Sequence, residues 1–338
     1  MVPRRSKTAL RATEEFSDRN FPQFCSNAQA ISTVCNLWYS SDAYDTSDSS
    51  SKAFSFAGGT YFFESKTCRE VLEKILSVAL KRCRGRLFAL LEQKPATLDQ
   101  LNEYMPKIYE IVYRYNEDLD VNVVYQDPHV PDCTLIKYHL SESNLDYPTI
   151  NVLDSDLDLV EPHISTKSAI STKVNSSYQQ YQVSAVGGTF DHLHSGHKML
   201  LTASVFVTAR LLIIGVTGPE LLKNKKYAEC LESYETRVKN VKTFIKLIEP
   251  KLQIEIHQIN DICGPTASVK DIDALVLSSE SVQGGQYVNQ VRKEKGFPEL
   301  EVVQIATLGG DEADGFQNKL SSTQLRKKDY ERRQVSQH

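Results

Sequence analysis

Three of the eight histidines lie within six residues, in a pattern suited to chemistry on phosphate groups. They belong to the segment Val186-Gly-Gly-Thr-Phe-Asp-His-Leu-His-Ser-Gly-His-Lys198. A short apolar strand is expected to end at Gly187 and Gly188, where the missing side chains leave room for a nucleotide against the backbone. A helix is expected to begin near Ser195, and its unpaired N–H groups and positive dipole end would attract an anion.

His194 and His197 are three positions apart, so in helical geometry both rings project toward one phosphate-sized space. Two imidazoles there can donate hydrogen bonds to oxygens whose charge grows as a phosphoanhydride breaks. Two histidines can also bind a metal, but no third Cys, Asp or Glu stands at a convincing distance, so no metal site is predicted. Transfer of a nucleotide is therefore the favoured chemistry.

Two later segments can complete such a site. The basic residues Lys223, Lys225 and Lys226 follow the next predicted strand, where a lysine can neutralise the phosphates of two anionic substrates, and Lys225 is the first candidate. The same run is compatible with an ordinary solvated surface. Ser321–Thr323 are expected to open a helix, where their hydroxyl and N–H groups can cap the helix and also hold triphosphate oxygens.

The elements that position these residues alternate between strand and helix. Strands are predicted at Val183–Val186, Leu211–Val216, Leu252–Gln258, Ala274–Leu277 and Leu300–Ile305, and helices at about 195–208, 233–248 and 285–295. This alternation predicts an α/β fold with a Rossmann-like, doubly wound parallel sheet. Such sheets bind ligands at the carboxyl ends of their strands, so the site is expected after Val186, Val216 and Leu277.

The first half of the chain is built differently, because only three of the 15 glycines precede residue 181. We predict a smaller N-terminal α/β domain of unknown role over residues 1–163, a polar linker over 164–182, the nucleotide-transferring domain over 183–330 and a polar tail over 331–338. Within the first domain, the Ser/Asp-rich stretch 40–51 is expected to be a loop. Helices are expected near 71–79 and 98–112, the second interrupted at Pro106, and strands at Leu119–Tyr125 and Cys133–His139.

Composition excludes several classes of protein. The chain has 338 residues, is 41% hydrophobic and 24% charged, and contains no apolar run near the roughly 20 residues that span a bilayer. A net charge of −4 provides no basic surface for nucleic acid. The seven cysteines are scattered, without a C-x-x-C pair, which disfavours disulfides and zinc. The N-terminus lacks an apolar signal core, so we expect a cytoplasmic location, with the nucleus open and mitochondria less favoured.

The motifs together resemble the H-x-G-H nucleotidyltransferase superfamily and, within it, phosphopantetheine adenylyltransferase of the eukaryotic and archaeal type. They are Gly187-Gly-Thr-Phe-Asp-His-Leu-His-Ser-Gly-His197, Ile214-Gly-Val-Thr-Gly-Pro-Glu-Leu-Leu-Lys-Asn-Lys-Lys226, Tyr234-Glu-Thr-Arg-Val238, Leu277-Ser-Ser-Glu280 and Ser321-Ser-Thr-Gln-Leu-Arg326. The resemblance covers 181 to about 328 and is silent on 1–180. It implies that ATP and 4′-phosphopantetheine give dephospho-coenzyme A and pyrophosphate, by in-line attack without a covalent intermediate, with Mg²⁺ carried by ATP.

The resemblance also implies roles for individual residues. The ATP-binding set is Gly187, Gly188, Thr189, Phe190, His194, Gly196, His197, Ser321, Ser322, Thr323 and Arg326. The substrate-binding set is Thr189, Lys223, Lys225, Lys226 and Arg292. His194, His197 and Lys225 form the catalytic set, in which the histidines stabilise the transition state and the lysine bridges the two phosphates. Bacterial members carry an arginine-bearing segment after the fourth strand that has no clear match in this sequence. Arg292 is the candidate for its arginine.

Alternatives remain within and outside this family. A cytidylyltransferase would end in an R-T-x-G-I-S-T-T-like string, and a nicotinamide mononucleotide adenylyltransferase would have a different late motif. A non-catalytic nucleotide-binding scaffold is the alternative of another class, which the intact histidines, basic cluster and hydroxyls disfavour. Neither G-x-G-x-x-G nor the P-loop G-x-x-x-x-G-K-[ST] occurs, so a fused dephospho-coenzyme A kinase is not expected. Association with other coenzyme A pathway enzymes or with a second copy of the chain is open.

Overall fold

A computed structural model of the chain describes residues 35–41, 50–56, 86–91, 95, 97–115, 119–124, 133–138, 149–152, 180–305 and 321–335. These residues form two β-sheets flanked by helices. Among them, no helix combines the length and the apolar character that crossing a membrane requires.

The first sheet has six strands and one helix packed against it. Its elements are β1 (Cys35–Ser41), β2 (Ser50–Phe56), β3 (Arg86–Leu91), α1 (Leu98–Tyr115), β4 (Asp120–Val124), β5 (Cys133–Tyr138) and β6 (Thr149–Val152). The antiparallel pair β1–β2 lies in the middle; β3 and the parallel strand β4 extend it on one side, and β5 and the parallel strand β6 on the other. The predicted strands β4 and β5 and the mixed α/β character are present.

The second sheet has five strands, all parallel. Its elements are β7 (Tyr181–Gly188), α2 (Ser195–Val207), β8 (Thr208–Thr217), α3 (Tyr234–Ile248), β9 (Gln253–Ile259), β10 (Ala274–Ser278), α4 (Val282–Glu294), β11 (Glu301–Ile305) and α5 (Ser322–Val335). The strand order is β11-β10-β7-β8-β9, so the chain reverses its direction of winding between β7 and β10. This is the predicted Rossmann-like topology, and its reversal point opens a crevice at the carboxyl ends of β7 and β10.

The predicted amphipathic character of α3 is also present. Val241, Phe244, Ile245 and Ile248 are buried, whereas the lysines on its other face are exposed. Helix α2 differs, because nine of its 13 residues are buried. It packs on the parallel sheet with one side and on α1 and α3 with others.

Several details of the N-terminal sheet and its neighbours differ from the predictions. Helix α1 runs through Pro106 without interruption, because burial of Leu101, Met105 and Ile108 along one face stabilises it against the loss of one backbone hydrogen bond. The ends of the predicted Ser/Asp-rich loop belong to paired strands, with Ser40 opposite Ser51. The helix predicted near 71–79 and most of the predicted linker lie outside the described residues.

At the C-terminal end, α5 continues to Val335, into the segment predicted as a polar tail.

Candidate active site

The loop from β7 to α2 brings the first motif to the carboxyl edge of the sheet. Phe190 and His192 in this loop have positive φ angles of 50° and 48°, a conformation that is uncommon for residues other than glycine. Phe190 is completely buried beneath the turn, so its side chain supports the loop. A Cβ at Gly188 would lie 3.0 Å from the Phe190 ring, which explains the need for glycine there. The loop therefore has a tightly specified shape, as functional loops often do.

The rings of His194 and His197 are stacked, with centroids 3.9 Å apart and an interplanar angle of 26°. A Cβ at Gly196 would come within 3.2 Å of the His194 ring, so glycine lets this ring lie over the first turn of α2. Among the described residues, His197 Nδ1 is buried without a hydrogen-bond partner. Burial, and then the proximity of His194, lower the pKa of His197 well below 6.5, so its ring is neutral at pH 7.

The start of α5 meets the histidine pair. Ser322 Oγ lies 3.3 Å from His194 Nε2 and donates a 3.2 Å hydrogen bond to the Asp191 carbonyl oxygen. Ser321 and Gln324 form a capping box, in which Ser321 N donates to Gln324 Oε1 and Gln324 N donates to Ser321 Oγ. Two helix N-termini, each with a positive dipole end, thus converge beside two imidazoles. Such an arrangement can bind an oligophosphate.

A buried ion pair, absent from the sequence predictions, joins these two motifs. The Asp191 carboxylate is fully buried; it accepts a 2.6 Å bond from Arg326 Nη1 of α5 and a 2.9 Å bond from Glu232 N. Arg326 also donates to the Lys226 carbonyl oxygen and to Thr323 Oγ1. Arg326 was predicted to contact ATP, but its side chain is 1% exposed and its donors are directed into the protein. In the sequence, the only signal for this ion pair was the opposite charge of Asp191 and Arg326, which stand in two separate motifs.

Arg237 is a second residue whose role the sequence did not reveal, although it stands in one of the family motifs. Its side chain is 2% exposed and contacts the backbone at the carboxyl ends of two strands. Its guanidinium donates to the carbonyl oxygens of Thr189 after β7 and Thr217 at the end of β8, at 2.7 and 3.0 Å, and to the Glu232 carbonyl oxygen. Burial lowers its pKa, and nearby carboxylates partly oppose that shift. Arg237 therefore fixes the backbone of Thr189.

The lysine cluster follows β8 and is exposed. The ammonium of Lys223 pairs with Glu220 on the surface. The Lys226 carbonyl oxygen accepts from Arg326 Nε at 2.9 Å, which brings the backbone of this segment beside α5. The side chains of Lys225 and Lys226 are exposed. They can reach an anion without first giving up a buried contact.

Arg292 does not join the site. Its side chain is completely buried on α4 and donates to the carbonyl oxygens of Thr266, Val269, Lys270 and Pro298 at 2.6 to 2.9 Å. These carbonyls belong to the loop that precedes β10 and the turn that precedes β11, at the amino ends of the strands. The predicted contact of Arg292 with substrate is therefore not supported, since its donors already bind backbone oxygens at the opposite edge of the sheet.

The described residues contain no group of three or more His, Cys, Asp and Glu side chains arranged to hold a metal ion. The donors that meet at the starts of α2 and α5 are imidazole, hydroxyl and backbone N–H groups, which can bind anions.

Comparisons with known proteins agree with this description. A family profile for cytidylyltransferase-like proteins matches residues 185–328. The phosphopantetheine adenylyltransferase of Saccharomyces cerevisiae is 35% identical over 258 residues, which cover 73% of this chain and 84% of that relative. The phosphopantetheine adenylyltransferases of Thermococcus kodakarensis and Pyrococcus abyssi are each 36% identical, over 148 and 141 residues, 44% and 42% of this chain and 86% of each relative. The yeast match is too long to fit within residues 181–338, so it extends into the N-terminal part.

Proposed function

Because the chain belongs to the phosphopantetheine adenylyltransferase family, we propose that its adenylyl-transfer site is the space where the N-termini of α2 and α5 converge on His194 and His197. The reaction joins ATP and 4′-phosphopantetheine into dephospho-coenzyme A and pyrophosphate. The observation that carries this assignment is the contact between Ser322 of α5 and His194 at the start of α2, since it brings two motifs that are distant in sequence to one place.

In the proposed mechanism, a phosphate oxygen of 4′-phosphopantetheine attacks the α-phosphorus of ATP. The bond from that phosphorus to the oxygen shared with the β-phosphate breaks, and pyrophosphate leaves with that oxygen. No enzyme nucleophile is needed, so the protein contributes position and charge. Thr189, whose backbone Arg237 fixes, would orient the attacking phosphate. Lys225 or Lys226 would lie between the two anionic substrates and reduce their repulsion.

The histidine pair would act on the charge that develops during transfer. His197 is neutral at pH 7 because burial lowers its pKa, so its ring can donate one hydrogen bond to a ligand without carrying a charge into the free site. Phosphate oxygens placed beside it favour its protonated form, which raises its pKa when ATP binds. His197 and His194 would thus stabilise the phosphoryl oxygens most strongly in the transition state.

The start of α5 would hold the β- and γ-phosphates through Ser321–Thr323 and the N–H groups of its first turn. Gly187 and Gly188 would leave space for the nucleotide at the end of β7. Mg²⁺ would enter with ATP and offset phosphate charge, so no protein-held metal is required.

Substrate choice tests the proposal directly. The purified chain is assayed with MgATP or MgCTP and with 4′-phosphopantetheine, choline phosphate or glycerol phosphate, and products are identified by mass spectrometry. We expect dephospho-coenzyme A and pyrophosphate from MgATP with 4′-phosphopantetheine. The other pairs should be slower by about 10² or more, because a substrate that lacks the expected hydrogen-bonding groups leaves polar groups of the site unpaired. Efficient turnover of MgCTP with choline or glycerol phosphate would instead identify a cytidylyltransferase.

A further inference from the structure

The helix that carries the histidines is enclosed on two sides. Residues of α2 pack on β7, β8, β10 and β11 with one face, and on α1 of the N-terminal sheet with another. Buried residues of α1 and β4, such as Ile108 and Val121, belong to the same hydrophobic cluster as Met199 and Leu201 of α2. A helix that is apolar around most of its circumference needs such cover. The N-terminal part provides it.

A polar contact lies at the start of this interface. Lys198 directly follows His197, and its side chain is 6% exposed. Its ammonium pairs with the Asp120 carboxylate at the start of β4 and donates a 2.6 Å hydrogen bond to the Val121 carbonyl oxygen. The same ammonium lies 5.9 Å from the centre of the Phe244 ring of α3. A charge this deeply buried is stable only while its partners remain in place.

The backbone connects this contact to the catalytic rings. Lys198 N donates a 3.0 Å hydrogen bond to the His194 carbonyl oxygen, which closes the first turn of α2. Successive helical residues differ in direction by about 100°, so the Lys198 side chain leaves α2 on a different side from the His197 ring; His194 precedes the helix as its N-cap, in extended conformation. Holding the ammonium therefore fixes the rotation of the first turn about the helix axis, and with it both rings.

We propose that Lys198 is a positioning residue for adenylyl transfer, and that Asp120 and Val121 of the N-terminal sheet hold it in place. The N-terminal part is then a component of the catalytic architecture, since it anchors the first turn of α2. This inference rests on the proposed role of His194 and His197 in the reaction.

Three variants of the full chain test it: Lys198→Met, Asp120→Ala and the double variant. Asp120 is 44% exposed and Lys198 is 6% exposed, so the two single changes should differ in stability. Lys198→Met leaves a carboxylate that water can solvate and should lower the Tm little. Asp120→Ala leaves a buried ammonium with one fewer partner and should lower it more, and the double variant should recover most of that loss.

Activity should not follow this order. We expect kcat to fall about tenfold or more in Lys198→Met and in the double variant, with KM for ATP within about twofold of wild type, because a misplaced group slows chemistry without removing binding contacts. Glu103→Gln, which alters the Glu103–Lys107 pair on α1, is the matched control and should keep wild-type kcat. If the kcat of the double variant instead returns toward the wild-type value together with its Tm, the Lys198–Asp120 contact is only structural and the inference is wrong.

A second measurement is independent of turnover. In ¹⁵N-histidine-labelled full chain, the ring signals of His194 and His197 should move in Lys198→Met and stay in place in Glu103→Gln. Unmoved signals in Lys198→Met would overturn the positioning role even for an inactive protein. An inactive wild type with moved signals would contradict the proposed function and leave the positioning of the rings supported.

Discussion

Replacing Asp191 with asparagine should destabilise the protein strongly, although the side chains are nearly the same size. Asp191 and Arg326 are 0% and 1% exposed and lie 2.6 Å apart, in a pair that joins the loop after β7 to α5. The substitution removes one charge and leaves the other buried. It also places an amide where Arg326 and Glu232 N both donate, so one of the two donors loses its acceptor.

The expected loss follows from that burial. Breaking a buried ion pair by removing one partner costs about 3–5 kcal/mol, whereas removing both is often close to neutral. For a domain of this size, 1 kcal/mol corresponds to roughly 2–4 °C, so Asp191→Asn should lower the Tm by about 10 °C. The double variant Asp191→Asn/Arg326→Met should recover at least about half of the lost free energy of unfolding.

Urea unfolding followed by circular dichroism measures the free energies, and calorimetry gives the Tm. Glu331→Gln is the matched control, because it breaks the Glu331–Lys327 pair on the same helix, with side chains 60% and 56% exposed, and should cost less than about 0.5 kcal/mol. Asp191→Asn should also raise KM for ATP, since the start of α5 loses its anchor. A free energy of unfolding within about 1 kcal/mol of wild type would mean that the Asp191–Arg326 pair does not stabilise the fold.

Three further predictions concern titration, structure and substrate contact. Burial lowers the pKa of His197 in the folded state, so the unfolded chain binds this proton first as pH falls. The free energy of unfolding should therefore decline below about pH 6.5. His197→Asn should make that decline smaller when the free energy of unfolding is measured between about pH 7.5 and about pH 5. Arg292→Met should lower the free energy of unfolding by about 3 kcal/mol with KM for 4′-phosphopantetheine unchanged in steady-state assays, and a raised KM with unchanged stability would restore its substrate role. Lys225→Ala should reduce kcat about tenfold or more. The Lys223 ammonium pairs with Glu220, so Lys223→Ala should change kcat less than about threefold. A larger loss of kcat in Lys223→Ala than in Lys225→Ala would exclude Lys225 as the bridging lysine.

Local sequence signals predicted the parallel sheet well. Its strands are short apolar runs with turn residues between them, and α3 has a clear apolar face, so the physics that forms each element acts over a few residues. The histidine segment was recognisable for the same reason, since strand, glycines and helix start are contiguous. Ser322 was predicted to open a helix whose start can hold phosphate oxygens, and the structure places its Oγ 3.3 Å from His194 Nε2.

Contacts between distant residues could not be predicted in this way. Asp191 and Arg326 are 135 positions apart, and Lys198 and Asp120 are 78 apart, so no local pattern pairs them. Arg292 lies on a predicted helix, but whether its guanidinium faces ligand or backbone depends on the path of the loop before β10. The interruption predicted at Pro106 rested on the low helix propensity of proline, which the burial of one face of α1 outweighs.

The most direct test of adenylyl transfer at the histidine pair is the formation of dephospho-coenzyme A by the purified full chain. Wild type and His197→Ala are compared at saturating MgATP and 4′-phosphopantetheine. Circular dichroism should show the same fold for both. We expect product and an equal amount of pyrophosphate from wild type, and a kcat lower by about 10² or more in His197→Ala. No product from wild type, or equal turnover by a folded His197→Ala, would contradict it.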